Sequence, residues 1–218
     1  MIYFIGAGPG AADLITVRGK ILLEQADIVI YAGSLVNPAL LAYTKPECKI
    51  YNSATMTLEE VMAIMAAPDN RDKLVVRLHT GDPCLYGAIR EQMDLLDTYG
   101  LEYEVVPGVS SFLGAAAALK AEYTLPDVSQ TVILTRLEGR TPVPAKEDMA
   151  KLAVHNASMV VFLSAGMLEE LSQRLIAGGY APTTPAAIVY KATWPDQKVV
   201  RTTVKDLAQA AAANGIRK

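Results

Sequence analysis

His79-Thr80-Gly81-Asp82-Pro83-Cys84-Leu85-Tyr86-Gly87 follows directly on the apolar run Leu74-Val75-Val76-Arg77-Leu78. That run has the length and composition of a buried strand, so the Gly-Asp-Pro turn falls at a strand's carboxyl end. In open α/β sheets ligands bind at that edge, and small, kinked residues let backbone amides and carbonyls approach a ligand closely. A second such turn lies at the start of the chain. Gly6-Ala7-Gly8-Pro9-Gly10 follows Ile2-Tyr3-Phe4-Ile5 and precedes a helical segment opening near Asp13. Two glycine turns ending two early strands imply one shared ligand pocket.

Outward from these turns, short apolar runs alternate with amphipathic stretches, the pattern of strands joined by crossover helices, and the fold class is α/β. Strands are expected at 2–5, 28–31, 74–78, 103–106, 131–135, 159–163, 186–190 and 198–202, and helices at 13–25, 57–66, 86–99, 110–120, 146–153, 167–177 and 204–213. Asp13 is placed to cap the first helix, Thr57 with Glu60 makes a capping-box pattern, and Gly100 is placed to end the helix before it. The character of the sequence changes after Ala115-Ala116-Ala117-Ala118-Leu119, and Tyr123 to Ser129, with Pro126 inside, reads as a connector. A lobe boundary is expected near 112–125, giving lobes 1–115 and 116–218. The stretch from Arg136 to Pro144, rich in breakers and positive charge, reads as a loop over a site or as a solvated turn.

The 218 residues suffice for a substantial core, and 51% apolar with 20% charged residues is ordinary globular composition. A net charge of −3 gives no basic footprint for nucleic acid, so any anionic ligand must meet local cations. No apolar run reaches spanning length and the start lacks a signal-peptide pattern, so a soluble cytoplasmic protein with no membrane partner is expected. Cys48 and Cys84 lack metal-ligand spacing and read as reduced bystanders, and two histidines, His79 and His155, are too few for a histidine-based cluster. No protein-bound metal is expected.

Gly6-Ala7-Gly8-Pro9-Gly10-Ala11 satisfies the loose dinucleotide pattern, but that site also wants an acid at the end of the second strand. Here Ile28-Val29-Ile30 runs into Tyr31-Ala32-Gly33-Ser34, and Asp27 lies at the wrong end. Pro9 also removes an amide where a pyrophosphate would seek donors. Three further turns, Thr80-Gly81-Asp82-Pro83, Val106-Pro107-Gly108-Val109-Ser110-Ser111 and Tyr190-Lys191-Ala192-Thr193-Trp194-Pro195, each follow an expected strand. Spread over both halves, they favour a cleft between lobes.

From Gly6-Ala7-Gly8-Pro9-Gly10 through Gly81-Asp82-Pro83 and Pro107-Gly108 to Tyr190-Lys191-Ala192-Thr193-Trp194-Pro195-Asp196, the chain closely resembles the tetrapyrrole methylases. These are S-adenosylmethionine-dependent enzymes that methylate the macrocycle on the cobalamin and sirohaem routes. Tyr31-Ala32-Gly33-Ser34-Leu35-Val36, His79-Thr80-Gly81-Asp82-Pro83, Ser129-Gln130-Thr131 with Thr135-Arg136, and Gly139-Arg140-Thr141-Pro142 look like the precorrin-4 branch, methylating C-11, rather than uroporphyrinogen-III methylation. The resemblance implies two lobes, each a sheet flanked by helices, with the donor in the cleft between them, S-adenosylhomocysteine as product, and a homodimer. Matched motif by motif, it implies donor contacts from Pro9, Thr80, Gly81, Asp82, Leu85, Ser110 and Ser111. In the second lobe it implies them from Ser164 and Ala192. Relatives usually continue past Gly215-Ile216-Arg217-Lys218 into a last apolar strand, so a truncation or a disordered tail is expected there.

Methyl transfer from a sulfonium to an already nucleophilic ring carbon demands alignment more than a strong base, and orientation can supply about 7–11 kcal/mol in favourable cases. Asp82 is the nearest candidate for an electrostatic catalytic role, and the reading preferred to that one is that it shapes the donor turn or bonds a donor group. A macrocycle fringed with carboxylates calls for placed cations, and the planar fork of arginine suits it. Arg136, Arg140 and Lys191 are the candidates, and Tyr31 and Tyr86 either stack on or border the ring or are half-buried core tyrosines; Arg77 and Arg90 are weaker, because ordinary surface pairing explains them. The substrate is then precorrin-4 or cobalt-precorrin-4. The alternatives are another regiochemistry on a corrin precursor, a non-catalytic small-molecule-binding module, and a nicotinamide oxidoreductase.

Overall fold

The computed structural model describes residues 1–139 and 141–216, and the chain divides into two compact units, residues 1–114 with 193–195 and residues 115–192 with 196 onward. In the first unit β1 (Ile2–Gly6), β2 (Ile28–Tyr31), β3 (Lys49–Asn52), β4 (Val75–His79) and β5 (Tyr103–Val106) form a parallel sheet in the order β3-β2-β4-β1-β5. A parallel sheet is covered on both faces, which is why its inner strands read as unbroken apolar runs. Ile5, Val29, Val76 and Leu78 pack with Leu23 and Leu40, while Phe4, Ile28, Ile30 and Val75 pack with Val61, Met62 and Leu96. Each such fully buried side chain contributes about 1.5–3 kcal/mol.

Helices α1 (Val17–Gln25), α2 (Leu58–Met65), α3 (Arg90–Thr98) and α4 (Ser111–Leu119) complete the unit. At α2 the capping box forms in both directions: Glu60 N–H donates to Thr57 Oγ1 at 3.3 Å and Thr57 N–H to Glu60 Oε2 at 2.8 Å. Gly100, at φ +61°, ends α3 as expected, with Leu101 N–H returning to Leu96 C=O and Gly100 N–H to Asp97 C=O. The cap expected at Asp13 is corrected. Residues Ala12–Leu14 form a separate single turn, and Thr16 is the N-cap of α1, its Oγ1 accepting from Gly19 N–H at 3.2 Å. Thr16→Ala should therefore lower unfolding stability by about 1 kcal/mol in urea titrations, with Asp13→Ala near neutral.

Three further expectations are corrected. Strand β3 went unseen because Lys49-Ile50-Tyr51-Asn52 is a short edge pairing with β2 alone, largely exposed, so burial imposes no pattern on it. The helix expected from residue 86 begins at Arg90, since Tyr86 and Ala88 sit at φ +57° and +50°. Arg77 is no surface residue: it is 7% exposed.

In the second unit β6 (Val132–Arg136) and β7 (Ser158–Phe162) pair in parallel, and β8 (Pro185–Tyr190) and β9 (Lys198–Thr203) form an antiparallel pair. Helices α5 (Met149–Ala153), α6 (Leu168–Ala177) and α7 (Leu207–Ala213) enclose a core of Leu137, Met149, Leu171, Leu175, Val204 and Leu207. No helix among the described residues is long and apolar enough to cross a membrane.

Candidate functional site

Adjacent strands β4, β1 and β5 deliver three turns to one carboxyl edge, and backbone atoms tie these turns together. Ala7 N–H donates to His79 C=O at 2.7 Å, Gly8 N–H to Gly81 C=O at 3.2 Å, and Gly81 N–H to Gly8 C=O at 2.9 Å. The approach is possible only without side chains. A Cβ on Gly6 would lie 2.5 Å from both Gly108 Cα and Gly81 O, and one on Gly108 would lie 2.2 Å from Gly81 O. The two glycine turns singled out in the sequence thus meet at one sheet edge, and Pro107-Gly108 packs against them.

Asp82 holds the second turn to the third. Its Oδ2 accepts from Gly108 N–H and its Oδ1 from Cys84 N–H, both at 2.8 Å. With both carboxylate oxygens engaged by the main chain, Asp82 shapes the edge. Burial first, and then the Asp82 carboxylate, push the Cys84 thiol above its ordinary value, so Cys84 is a thiol and not a thiolate nucleophile. His79 is 4% exposed and its Nε2 has no hydrogen-bond partner among the described residues. Desolvation, followed by the nearby Arg77 charge, lowers its pKa to about 3, so the ring is neutral.

The first turn is braced from two more sides. Asn37 Nδ2 donates to Gly10 C=O at 2.8 Å, and Ala11 N–H donates to Thr193 Oγ1 at 2.9 Å. Pro9 is buried, and its ring is so close to α4 that a Cβ on Gly114 would lie 2.9 Å from Pro9 Cβ and 3.4 Å from Thr193 Cγ2. Ser110 is buried and Ser111 half-buried at the start of α4, with Ser110 against Gly81; Thr80 is exposed, and Leu85 is half-buried within the second turn. The first unit therefore brings Pro9, Thr80, Gly81, Asp82, Leu85, Ser110 and Ser111 to one edge. Tyr31 stands at the same edge one strand away, in register with Leu78, its ring packed on the core.

The remaining expected residues lie in the second unit. Ser164 is buried, and its hydroxyl accepts from Leu137 N–H at 3.0 Å and donates to Phe162 C=O at 2.7 Å, tying the end of β7 to the residue after β6. Arg136 donates to the carbonyls of Leu137, Thr141 and Pro142 at 3.2, 3.0 and 3.0 Å, so its guanidinium organises the loop that follows it. Arg140 lies outside the described residues. Lys191, at φ +48°, pairs with Asp196 at 2.6 Å and lies over the Tyr190 ring, and Ala192 is buried. Asp27 is neutralised as a ribose ligand: it accepts from Lys45 Nζ at 2.6 Å and from Leu74 N–H at 2.8 Å at the opposite sheet edge, and both bonds hold its carboxyl below the usual range.

Sequence reasoning passed over Gly6, Gly108 and Thr193 as individual site residues. The signal for the glycines was present, since each follows a strand that neighbours another glycine-terminated strand. For Thr193 there was none, because its partner is 182 residues away. The edge offers backbone amides, carbonyls and hydroxyls. Among the described residues there is no group of three His, Cys, Asp or Glu side chains able to hold a metal ion.

A family model of the tetrapyrrole (corrin/porphyrin) methylases matches residues 1–208. A cobalt-precorrin-4 C(11)-methyltransferase of Methanocaldococcus jannaschii is 54% identical over 217 residues, spanning 100% of this chain and 84% of that protein. A precorrin-4 C(11)-methyltransferase of Mycobacterium tuberculosis is 49% identical over 208 residues, spanning 95% and 83%. Among solved structures, the X-ray structure of a cobalt precorrin-4 methyltransferase, CbiF, described as a cobalamin biosynthetic enzyme, matches with a TM-score of 0.96 at 53% identity. The match covers 100% of this chain and 91% of that one. A uroporphyrin-III C-methyl transferase from Thermus thermophilus, complexed with S-adenosyl homocysteine, matches with a TM-score of 0.79 at 26% identity, covering 95% and 85%.

Proposed function

Because this chain belongs to the tetrapyrrole (corrin/porphyrin) methylases, we propose that it methylates precorrin-4 or cobalt-precorrin-4 at C-11 in cobalamin biosynthesis, with S-adenosylmethionine as donor. The observation that carries this reading is 54% identity along the full chain to a relative that bears that activity in its name. The sheet edge fits such a donor in chemical kind. An aminoacyl tail, ribose hydroxyls and adenine are all served by backbone amides, carbonyls and hydroxyls, the kinds of group that Thr80, Gly81, Ser110 and Ser111 carry.

When bound, the donor supplies a methyl group on a positively charged sulfonium. Transfer to a ring carbon needs that carbon held in line with the methyl–sulfur bond, and the chain's own task is placement. Asp82 serves this task by fixing Gly108 and Cys84, not by moving a proton, and neutral, buried His79 takes no part in acid–base work. Pro9 and Leu85 complete the proposed donor contacts of this unit. The assignment of Ser164 and Ala192 to the donor, and of Arg136, Arg140, Lys191 and Tyr31 to the macrocycle, rests on the resemblance. Arg136 then acts by shaping the loop that follows it. A homodimer and a cytoplasmic location are proposed on the same ground.

The test is single-turnover incubation of the protein with S-adenosylmethionine and either macrocycle, followed by mass and NMR analysis. One added methyl at C-11 is expected. A methyl at another carbon, or donor binding with no transfer to either macrocycle, would overturn the assignment.

A further inference from the structure

A charge lies buried beneath the donor edge with no carboxylate in ion-pair reach among the described residues: Arg77, in the middle of the sheet. Desolvation lowers its pKa to about 10, which measures how unwelcome the charge is there. Its hydrogen bonds explain what keeps it. Nη1 donates to Ile30 C=O on neighbouring β2 at 3.1 Å, and Nε donates to Gln92 Oε1 on α3 at 3.2 Å. Gln92, itself 6% exposed, donates in turn through Nε2 to Ala88 C=O at 2.9 Å.

Ala88 ends a short segment that no regular element supports. Tyr86 and Ala88 are at φ +57° and +50°, a region costly to residues with a side chain. Gly87 sits so tightly that an added Cβ would lie 2.0 Å from Pro83 O. The segment from Pro83 to Ala88 is therefore a closed, strained turn that starts at Asp82 and contains Leu85, and its far end is held by the amide of Gln92.

We propose that Arg77 and Gln92 are positioning residues for methyl transfer: the relay from Ile30 C=O through Arg77 and Gln92 to Ala88 C=O fixes the turn that presents Leu85 and Asp82 to the donor. An apolar pair would fill the same volume at lower desolvation cost, but it would leave the Ala88 carbonyl unanchored. The inference rests on the proposed donor edge and names the part of the core that sets its shape.

Gln92→Glu separates the two jobs. A carboxylate keeps an acceptor for Arg77 Nε, so the fold retains its support, while the donation to Ala88 is lost. Calorimetric titration with S-adenosylhomocysteine should show affinity at least fivefold weaker than wild type, and steady-state assays a raised KM for S-adenosylmethionine with kcat changed less than twofold. The urea midpoint should be unchanged or higher. Ala88→Val disfavours the same backbone conformation from the solvent side with Arg77 and Gln92 intact, and it answers the question should the buried variant not fold. It should weaken the analogue to a similar degree. Wild-type affinity in a folded Gln92→Glu protein, or in Ala88→Val where the former does not fold, would overturn the relay alone. No binding of the analogue by wild-type protein would overturn the donor edge and the relay with it.

Discussion

Gly108→Ala is expected to cost more than about 3 kcal/mol of stability and to abolish donor binding. The added methyl would meet Gly81 O at 2.2 Å, Gly6 Cα at 2.6 Å and Gly6 C at 3.0 Å, all of them backbone. A side chain in the way can rotate aside, but two strand-anchored main-chain segments cannot, so overpacking here exceeds the usual range of about 1–3 kcal/mol. Relief requires the ends of β5 and β4 to part, which breaks the Gly108 N–H bond to Asp82 and disturbs the Gly8–Gly81 pair. Gly139→Ala is the control, since nothing beyond its chain neighbours lies within 4 Å of its Cβ position among the described residues. Urea denaturation and calorimetry with S-adenosylhomocysteine check both variants. A Gly108→Ala protein of wild-type stability and affinity would show that the three turns are not packed as described.

The second large effect is in pH dependence and comes from His79. Its pKa is about 3 in the folded chain, against 6.5 as the ordinary value. In that interval the unfolded chain holds a proton the folded chain refuses, so stability is full above about pH 6.5 and falls as pH drops toward 3. The slope reaches at most about 1.4 kcal/mol per pH unit for one proton. Asp27, whose carboxyl is held low by Lys45 and Leu74 N–H, adds a loss of the same sign at the acid end, so the comparison must be made between variants. His79→Leu removes the titrating group. Urea titrations from pH 7 to pH 4 should give a profile flatter than wild type by up to that slope, and identical profiles would show that His79 is not held neutral by burial.

Much of the fold was readable because the inner strands are buried on both faces, which leaves unbroken runs such as Ile2 to Ile5 and Ile28 to Ile30. What stayed hidden is where burial writes no pattern. Edge strand β3 has a solvent side, and Thr16 took the cap from Asp13 through a tight turn that a helical period passes over. In the candidate site, the meeting of the glycine turns is legible because close approach demands residue types that composition alone would not place there. Arg77 was read as a surface ion because charge ordinarily signals exposure, and its acceptors are a backbone carbonyl and an amide. Nor does the sequence foretell that Arg136, expected beside the macrocycle, also donates to the carbonyls of the loop that follows it. Such partners carry no charge and leave no mark in a sequence.

The hydroxyl of Thr193 beneath the first glycine turn has a consequence for biosynthesis. The turn leaves the ribosome before its brace, which emerges 182 residues later. The five-stranded sheet can form from residues 2–106, since its pairings all lie within them. Ala11 N–H waits for the other half of the chain, because Thr193 to Pro195 belong with the first unit. Synthesis therefore yields a finished sheet long before the proposed donor edge is braced, and a chain released early would carry the five-stranded sheet with an unbraced first turn.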